Sequence, residues 1–172
     1  MIYVNEYNSP VGRMIIADDG EKLVGVWFDG QKYFMAGVSG ETVKKETPVS
    51  LYTKKWLDDY FSGKEREYSL PLETKNVSAF RKTVLNALKK IPFGKTATYG
   101  EIAKSIEKER GKRVSARAVG GAVGHNPFSI IIPCHRVLGA NGKITGYAGG
   151  VDKKVALLNH EGVSEGERYR FY

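Results

Sequence analysis

The stretch that decides the fold of this chain reads Ser115-Ala116-Arg117-Ala118-Val119-Gly120-Gly121-Ala122-Val123-Gly124. Ser115 can cap a short helix over the residues that follow it, and Asn126-Pro127 ends that helix. Nearly every residue is small, and Arg117 is the single long polar side chain. Taken alone, such a helix is best explained by tight packing against a neighbouring helix. It is poorly suited to reading a DNA sequence, because a reader needs several side chains that bond the base edges.

A second short helix precedes this one. Thr98 and Glu101 form a capping box, in which each side chain accepts a hydrogen bond from the other residue's backbone N–H. A basic connection at residues 108–114 contains one glycine and leads to the next helix. Two short helices joined in this way predict a helix-turn-helix. The buried face of the first helix is expected to consist of Ile102, Ala103 and Ile106.

The only cysteine, Cys134, follows an isoleucine run that predicts a buried strand over residues 129–132. A thiol is a weak nucleophile until it ionises, and the adjacent His135 and Arg136 supply a base and a positive charge. Neighbouring residues of a strand point to opposite faces, so contact between Cys134 and His135 needs a break, for which Pro133 is available. A bridging water is the alternative. From these residues alone, a buried cysteine is more often an apolar core residue than a nucleophile.

Two longer helices flank this region. The first is expected to stop at Pro92, and the last is expected to begin at Asp152 as its cap and to run to Glu161, with Gly162 as its stop. The tail at residues 168–172 is aromatic and basic. The apolar face of the first helix consists of Val77, Phe80, Val84, Leu88 and Ile91.

The first 75 residues predict a small α/β module without evident chemistry. Three short segments rich in β-branched and aromatic residues predict strands at 2–7, 13–17 and 23–28. A helix follows Pro48 with Ser50 as its expected cap, and it ends at residue 63. A boundary near residues 70–76 divides the chain into domains at 1–75 and 76–172.

Charge is unevenly divided between these two parts. The chain carries a net charge of +8, with 10 Lys and Arg against 12 Asp and Glu in residues 1–75, and 17 against 7 in residues 76–172. The resulting −2 and +10 indicate that the second part faces a polyanion, although a merely solvated basic surface explains the charge alone equally well.

Composition excludes several classes of protein. One cysteine permits neither an internal disulfide nor a cysteine-rich zinc site, and the three histidines lack the spacing of a metal motif, so no metal or cofactor is expected. No apolar run approaches the roughly 18 residues of a membrane span. The first residues lack the layout of a signal peptide, which predicts a cytoplasmic location.

Several motifs resemble one known family. Ile132-Pro133-Cys134-His135-Arg136-Val137 is similar to the active-site motif of the methylated-DNA–protein-cysteine methyltransferases, the O6-alkylguanine-DNA alkyltransferases. The resemblance covers residues 77–163 in the family's order and spacing, whereas residues 1–75 resemble its N-terminal module only in outline. The other matching motifs are Arg117-Ala118-Val119-Gly120-Gly121-Ala122, Asn126-Pro127, Gly146-Tyr147-Ala148-Gly149-Gly150 and Leu157-Leu158-Asn159-His160-Glu161-Gly162.

This resemblance implies an α+β fold, in which a small ribonuclease-H-like α/β module precedes a mainly helical winged helix-turn-helix domain with the active site. It implies an irreversible, stoichiometric transfer of an alkyl group from O6-methylguanine in DNA to the protein's own cysteine. O4-methylthymine is a second candidate substrate. The implied partner is double-stranded DNA, bound by a monomer through the minor groove without sequence specificity, and no cofactor is implied.

Catalytic roles follow from the same resemblance. Cys134 is the implied nucleophile and permanent alkyl acceptor, and His135 is the base that acts through a bridging water. Glu161 orients that histidine, as the third member of a triad does. Asn126 holds the turn between the second helix and the active-site segment.

The resemblance also implies how DNA is bound. Arg117 enters the duplex in place of the damaged nucleotide, and Tyr99 helps to rotate that nucleotide out. The connection at residues 107–114 is longer and more charged than in some relatives, which bears on the phosphate contacts. The implied DNA-binding residues are Thr98, Tyr99, Ser115, Ala116 and Arg117.

A pocket for the flipped base is implied beside the cysteine. Backbone groups around Cys134 and Val137 read the guanine edge, and the loop that carries Tyr147 and Ala148 closes over the base. Ala148 departs from the family, because many relatives have a serine there whose hydroxyl can bond the guanine oxygen. Two rival functions stay open from the residues themselves: a winged-helix DNA-binding protein without chemistry, and a cysteine hydrolase.

Overall fold

The computed structural model describes residues 1–64, 66 and 68–163. The chain divides into two compact units, Met1–Asn76 and Val77–Tyr172. The basic, aromatic tail at residues 168–172 and the end of the second predicted domain lie outside the described residues.

A four-stranded sheet forms the centre of the N-terminal unit, with the strand order β3-β2-β1-β4. The first three strands, β1 (Ile2–Ser9), β2 (Gly12–Asp18) and β3 (Leu23–Phe28), form an antiparallel meander, which confirms the three predicted strands. The short strand β4 (Thr42–Lys44) pairs in parallel with β1 and has no counterpart in the sequence prediction.

Helix α1 (Pro48–Phe61) packs on this sheet. The sequence predicted Ser50 as the cap of this helix, but the cap is Thr47. Thr47 accepts a hydrogen bond from the Ser50 backbone N–H at 3.0 Å, and the Ser50 hydroxyl accepts one from the Thr47 N–H at 2.9 Å. Ser50 is therefore the third helical residue of a capping box, because Pro48 is better accommodated in the first turn, where no N–H is needed.

Three helices of the C-terminal unit pack on one another: α2 (Ala79–Lys89), α3 (Tyr99–Arg110) and α4 (Ala116–Gly124). The last two confirm the predicted helix-turn-helix, including the Thr98–Glu101 capping box and the Ser115 cap. Ser78 caps α2, so Val77 and Ile91, the two ends of the predicted apolar face, lie outside the helix. The buried apolar residues between the helices include Val84, Leu88, Ile102, Ala103, Ile106, Val119 and Val123.

The remaining elements of the described residues are two short strands, a helix and two single 3₁₀ turns, Cys134–Arg136 and Ala140–Gly142. Strands β5 (Ala97–Thr98) and β6 (Val137–Leu138) pair in parallel, and α5 (Val151–His160) follows. Gly150, with a φ of +101°, is the residue before α5. Asp152, which the sequence predicted as the cap, therefore lies in the first turn of the helix. A small apolar cluster anchors α5, and it consists of Leu138, Ile144, Leu158 and Val163.

The predicted strand at residues 129–132 is wrong. These residues form turns, in which the Ile132 N–H donates to the Phe128 carbonyl at 2.9 Å and Ile130 has a φ of +70°. Burial was predicted correctly for two of the three isoleucines, since Ile130 and Ile132 are almost inaccessible and Ile131 is half-buried. A short apolar run reports burial and not backbone conformation, so periodicity alone cannot separate a strand from a buried turn.

The fold as a whole is the α+β arrangement that the resemblance implies, with a sheet module followed by a mainly helical unit. Within the described part of the chain, no helix combines the length and the apolar character that crossing a membrane requires.

Candidate active site

Cys134 begins a single 3₁₀ turn, Cys134–Arg136, that follows Pro133. The thiol is buried, with 5% of the residue exposed. Burial raises the pKa of this thiol, while a hydrogen bond with Asn126, the charge of Lys154 and a hydrogen bond with Tyr147 act in the opposite direction. The raised pKa means that the resting thiol holds its proton, so nucleophilic attack requires a base.

His135 occupies the next position of the turn and is fully buried. Its Nε2 atom forms a hydrogen bond with Oε2 of Glu161, the residue that caps the C-terminal end of α5. Burial lowers the pKa of His135 and outweighs the opposing effect of Glu161, so the imidazole is neutral at rest. Since Nε2 lies against a carboxylate, it carries the ring proton, and Nδ1 keeps the lone pair that can accept a proton.

The Glu161 carboxylate has further partners on its second oxygen. Oε1 accepts hydrogen bonds from Arg136 Nε at 2.7 Å and from the Gly94 backbone N–H at 3.1 Å. Burial alone would raise the pKa of Glu161, but the hydrogen bonds and charges of His135 and Arg136 hold it well below its ordinary value. The carboxylate therefore stays ionised beside the imidazole.

Asn126 lies between α4 and the cysteine turn. Its Nδ2 donates to the carbonyls of Ile132 at 2.8 Å and Phe128 at 3.4 Å, and its Oδ1 accepts from the Phe128 N–H at 2.9 Å. The Asn126 side chain thus supplies hydrogen-bond partners to buried backbone groups of Phe128 and Ile132, which in a strand would bond to a neighbouring strand. The structure thus places Asn126 at the joint between the DNA-binding candidate helix and the thiol.

The outer face of α4 is exposed and smooth. Ser115 caps the helix by accepting from the Ala118 N–H at 3.0 Å, and the side chains of Ala116 and Arg117 are exposed. Gly120 faces the Tyr99 ring, since a Cβ built at this glycine would lie 3.8 Å from it. Arg117 is on the surface and is not brought into contact with Cys134.

Tyr99 connects this helix pair to the loop before α5. Its hydroxyl and the Thr145 hydroxyl are 3.1 Å apart. Burial raises the pKa of Tyr99, the hydrogen bond with Thr145 opposes this, and the nearby Cys134 thiolate adds a smaller upward effect. Thr98 caps α3 directly before it.

The other predicted pocket residues, Val137, Tyr147 and Ala148, differ in their burial and in their contact with the thiol. Val137 is fully buried and pairs with Ala97 across β5 and β6, and its N–H donates to the Cys134 carbonyl. Tyr147 contacts the thiol, whereas Ala148 is half-buried in the same loop.

Lys154 is a residue of the site that the sequence motifs did not predict. This lysine is fully buried, and its Nζ has no hydrogen-bond partner among the described residues. Burial lowers its pKa to about 8, and the Cys134 thiolate acts in the opposite direction, which places the ammonium group near the nucleophile. A signal was available, because Lys154 precedes Glu161 by seven residues and shares the apolar face of α5 with Leu158.

A cleft of about 470 Å³ opens where α2 begins and where α3 connects to α4. Its cations, Arg110, Lys112 and Arg113, have no acidic partner among the residues that the structure describes. This basic cleft is the second feature that the sequence did not predict, because the charged connection at residues 107–114 does not by itself indicate a cleft. Its other lining residues are Phe80, Val114, Ser115 and Ala118.

Comparisons with known proteins agree with this geometry. Residues 79–163 match the model of the 6-O-methylguanine DNA methyltransferase DNA-binding domain, and residues 2–74 match the ribonuclease-like domain of the same family. A methylated-DNA–protein-cysteine methyltransferase of Methanosarcina acetivorans is 43% identical over 162 residues, which cover 94% of this chain and 99% of the relative. One from Haemophilus influenzae is 39% identical and covers 93% of this chain and 86% of the relative.

Solved structures give the same result. Mycobacterium tuberculosis OGT in complex with DNA is 37% identical with a TM-score of 0.79, and the match covers 92% of both chains. The O6-methylguanine-DNA methyltransferase of Pyrococcus kodakaraensis is 28% identical with a TM-score of 0.67, and the match covers 95% of this chain and 100% of that one. With both parts of the chain matched, this protein belongs to the 6-O-methylguanine DNA methyltransferase family.

Proposed function

We propose that this protein repairs DNA by moving an alkyl group from O6 of guanine onto Cys134, once per molecule. The observation that carries the proposal is the buried Cys134, which lies one residue from a neutral histidine that Glu161 orients. A non-catalytic DNA-binding protein would have no use for an ionised carboxylate buried against that histidine, because burying charged groups is costly.

The transfer is a nucleophilic substitution at the alkyl carbon. The Cys134 sulfur attacks this carbon as the thiol proton passes through a water to Nδ1 of His135, and Glu161 stabilises the resulting imidazolium. The new C–S bond forms as the C–O6 bond breaks, and the electron pair of the broken bond goes to guanine, which then takes up one proton. The product thioether has no acyl carbon for water to attack, so no step of this site regenerates the thiol.

The buried thiol requires the damaged base to leave the duplex. O6 of guanine lies within the base stack, so the nucleotide must rotate into the pocket beside Tyr147 and Tyr99. Arg117, exposed on α4, is the side chain that would fill the vacated space. The small residues of α4 suit the minor groove, where shape matters more than a base code.

The basic cleft supports binding to the DNA backbone. Arg110, Lys112 and Arg113 supply phosphate contacts that carry no sequence information, which suits a protein whose target can occur anywhere. We propose that a monomer binds in this way, that O4-methylthymine is a second substrate, and that the protein acts in the cytoplasm. The methyl group of O4-methylthymine is also carried by an exocyclic oxygen and requires the same displacement.

Mass spectrometry after mixing with a duplex that contains one O6-methylguanine tests the function. We expect a stable gain of one methylene unit on Cys134 and none in Cys134→Ser, while the serine variant still binds DNA. Binding without a mass gain would favour a pure DNA-binding protein, and repeated product release would favour a hydrolase. The same experiment with O4-methylthymine tests the second substrate.

A further inference from the structure

Arg136 binds the carboxylate oxygen of Glu161 that His135 does not contact. Its Nε donates to Oε1 at 2.7 Å, and one of its terminal nitrogens donates to the Ile91 carbonyl at 2.6 Å. The guanidinium carbon also lies 5.8 Å from the centre of the Phe93 ring. The residue is 6% exposed, so these contacts form without competition from bulk water.

Gly94 adds a third donor to the same carboxylate. Its backbone N–H reaches Oε1 of Glu161 at 3.1 Å, only three residues after the carbonyl that Arg136 binds. Arg136 and this loop together fix the carboxylate between the end of α2 and the end of α5. A carboxylate with three such donors cannot turn away from Nε2 of His135 without breaking hydrogen bonds.

Three ionisable groups act on His135. Arg136 belongs to its own turn, Lys154 belongs to α5, and Glu161 caps the C-terminal end of α5. Glu161 favours the imidazolium form of His135, while Arg136 and Lys154 disfavour it. Of the two cations, Arg136 is the one in contact with Glu161, so it offsets the carboxylate charge where that charge acts on the ring.

We propose that Arg136 is a positioning residue for the transfer reaction, which holds Glu161 in place and offsets its charge so that His135 stays neutral and can accept the Cys134 proton. This role rests on the proposed function. If Arg136 served stability alone, its loss would leave the pH dependence of transfer unchanged, and folding measurements do not test this point.

The test combines a titration with a pH profile. The variants are Arg136→Gln, which keeps donors but loses the charge, and Arg136→Lys, which keeps the charge. Arg81→Gln, on the exposed face of α2, is the control. The His135 ring is titrated by NMR in the unreacted proteins, and single-turnover transfer from O6-methylguanine duplex is measured from acid to alkaline pH.

For Arg136→Gln we expect the His135 titration to move to higher pH. Transfer should fall about tenfold on the acid side and less than about threefold on the alkaline plateau, because fewer molecules hold a free base at low pH. Arg136→Lys should titrate close to the unchanged protein, and so should the control. An equal loss at every pH with an unmoved titration, or a lysine variant displaced as far as the glutamine variant, would overturn the proposal.

A second pair covers the case in which Arg136→Gln does not fold. Glu161→Gln and the double variant Arg136→Gln/Glu161→Gln both lack the buried carboxylate charge, and the double variant should still titrate His135 at higher pH. An identical titration in the two proteins would overturn the role of Arg136. The two measurements separate the two claims: a protein that takes up no alkyl group would refute the proposed function and with it this role, whereas transfer with an unmoved His135 titration would refute the role of Arg136 alone.

Discussion

At the scale of single residues, the site contains a buried charged group that lowers the stability of the folded protein. Lys154 is buried, and its pKa is lowered to about 8 from 10.5. The Lys154 ammonium has a higher pKa in the unfolded chain than in the folded protein, so the charged lysine destabilises the folded state below pH 8. This loss of stability disappears as the pH rises from about 8 to 10.5. The shift corresponds to about 3 kcal/mol at neutral pH.

Lys154→Met should therefore stabilise the protein and slow the reaction. We expect the free energy of unfolding at pH 7 to rise by about 1–3 kcal/mol, because an apolar chain of similar length replaces a buried charge. Transfer should slow on the order of tenfold, since the forming thiolate loses a nearby cation. Chemical denaturation and single-turnover kinetics measure the two effects. Lys104→Met, on the exposed face of α3, should change neither, and a destabilised Lys154→Met with full activity would contradict the prediction.

The Asn126 side chain belongs to the scale of elements, because it joins α4 to the cysteine turn. Asn126→Ala should lower the free energy of unfolding by about 1–3 kcal/mol, since the Phe128 N–H and the Ile132 carbonyl lose their partner in a buried place. Denaturation curves measure this effect. Asn86→Ala, at an exposed position of α2, is the matched control and should be close to neutral. Equal stability of the two variants would show that Asn126 does not hold this joint.

Helix α4 gives the second prediction at this scale. Arg117→Ala should slow transfer from duplex DNA far more than transfer from free O6-benzylguanine, because only the duplex substrate needs a nucleotide to be flipped and replaced. Transfer rates on both substrates at one pH make the comparison. If both rates fell by the same factor, Arg117 would be a structural residue and not an intercalating one.

How far the sequence predicts these elements depends on what each signal reports. Caps and periodicity predict α3 and α4 well, because Thr98, Glu101 and Ser115 act through local hydrogen bonds. The turn at residues 129–132 was missed because its backbone partner, Asn126, is a side chain outside the segment. The contact between Arg136 and Ile91 was missed for a similar reason, since the two are 45 residues apart in the chain. The resemblance named Cys134, His135, Glu161 and Asn126, and the structure shows how they are held together.

At the scale of the whole molecule, charge is concentrated in one part of the chain. The affinity for duplex DNA should fall steeply with salt, with a slope of about −0.9 in log K against log salt for each phosphate contact. Replacing Arg110, Lys112 and Arg113 by glutamine should make that slope shallower by up to about three. Fluorescence anisotropy with an undamaged duplex at several salt concentrations measures it.

The control removes the same number of charges from the other unit. Lys32, Lys44 and Lys64 are exposed in the N-terminal unit, and their replacement by glutamine should leave the slope nearly unchanged. If both triple variants changed the slope equally, general surface charge and not the basic cleft would account for binding.

The smooth face of α4 also has a consequence for how damage is found. A helix that offers one long side chain and otherwise glycine, alanine and valine has few groups that could hold it at a preferred base pair. A protein bound through such a face and through phosphates meets nearly the same free energy at every step along the duplex. Its search should then be a one-dimensional diffusion over a flat landscape, slowed only where a weakened base pair lets a nucleotide leave the stack.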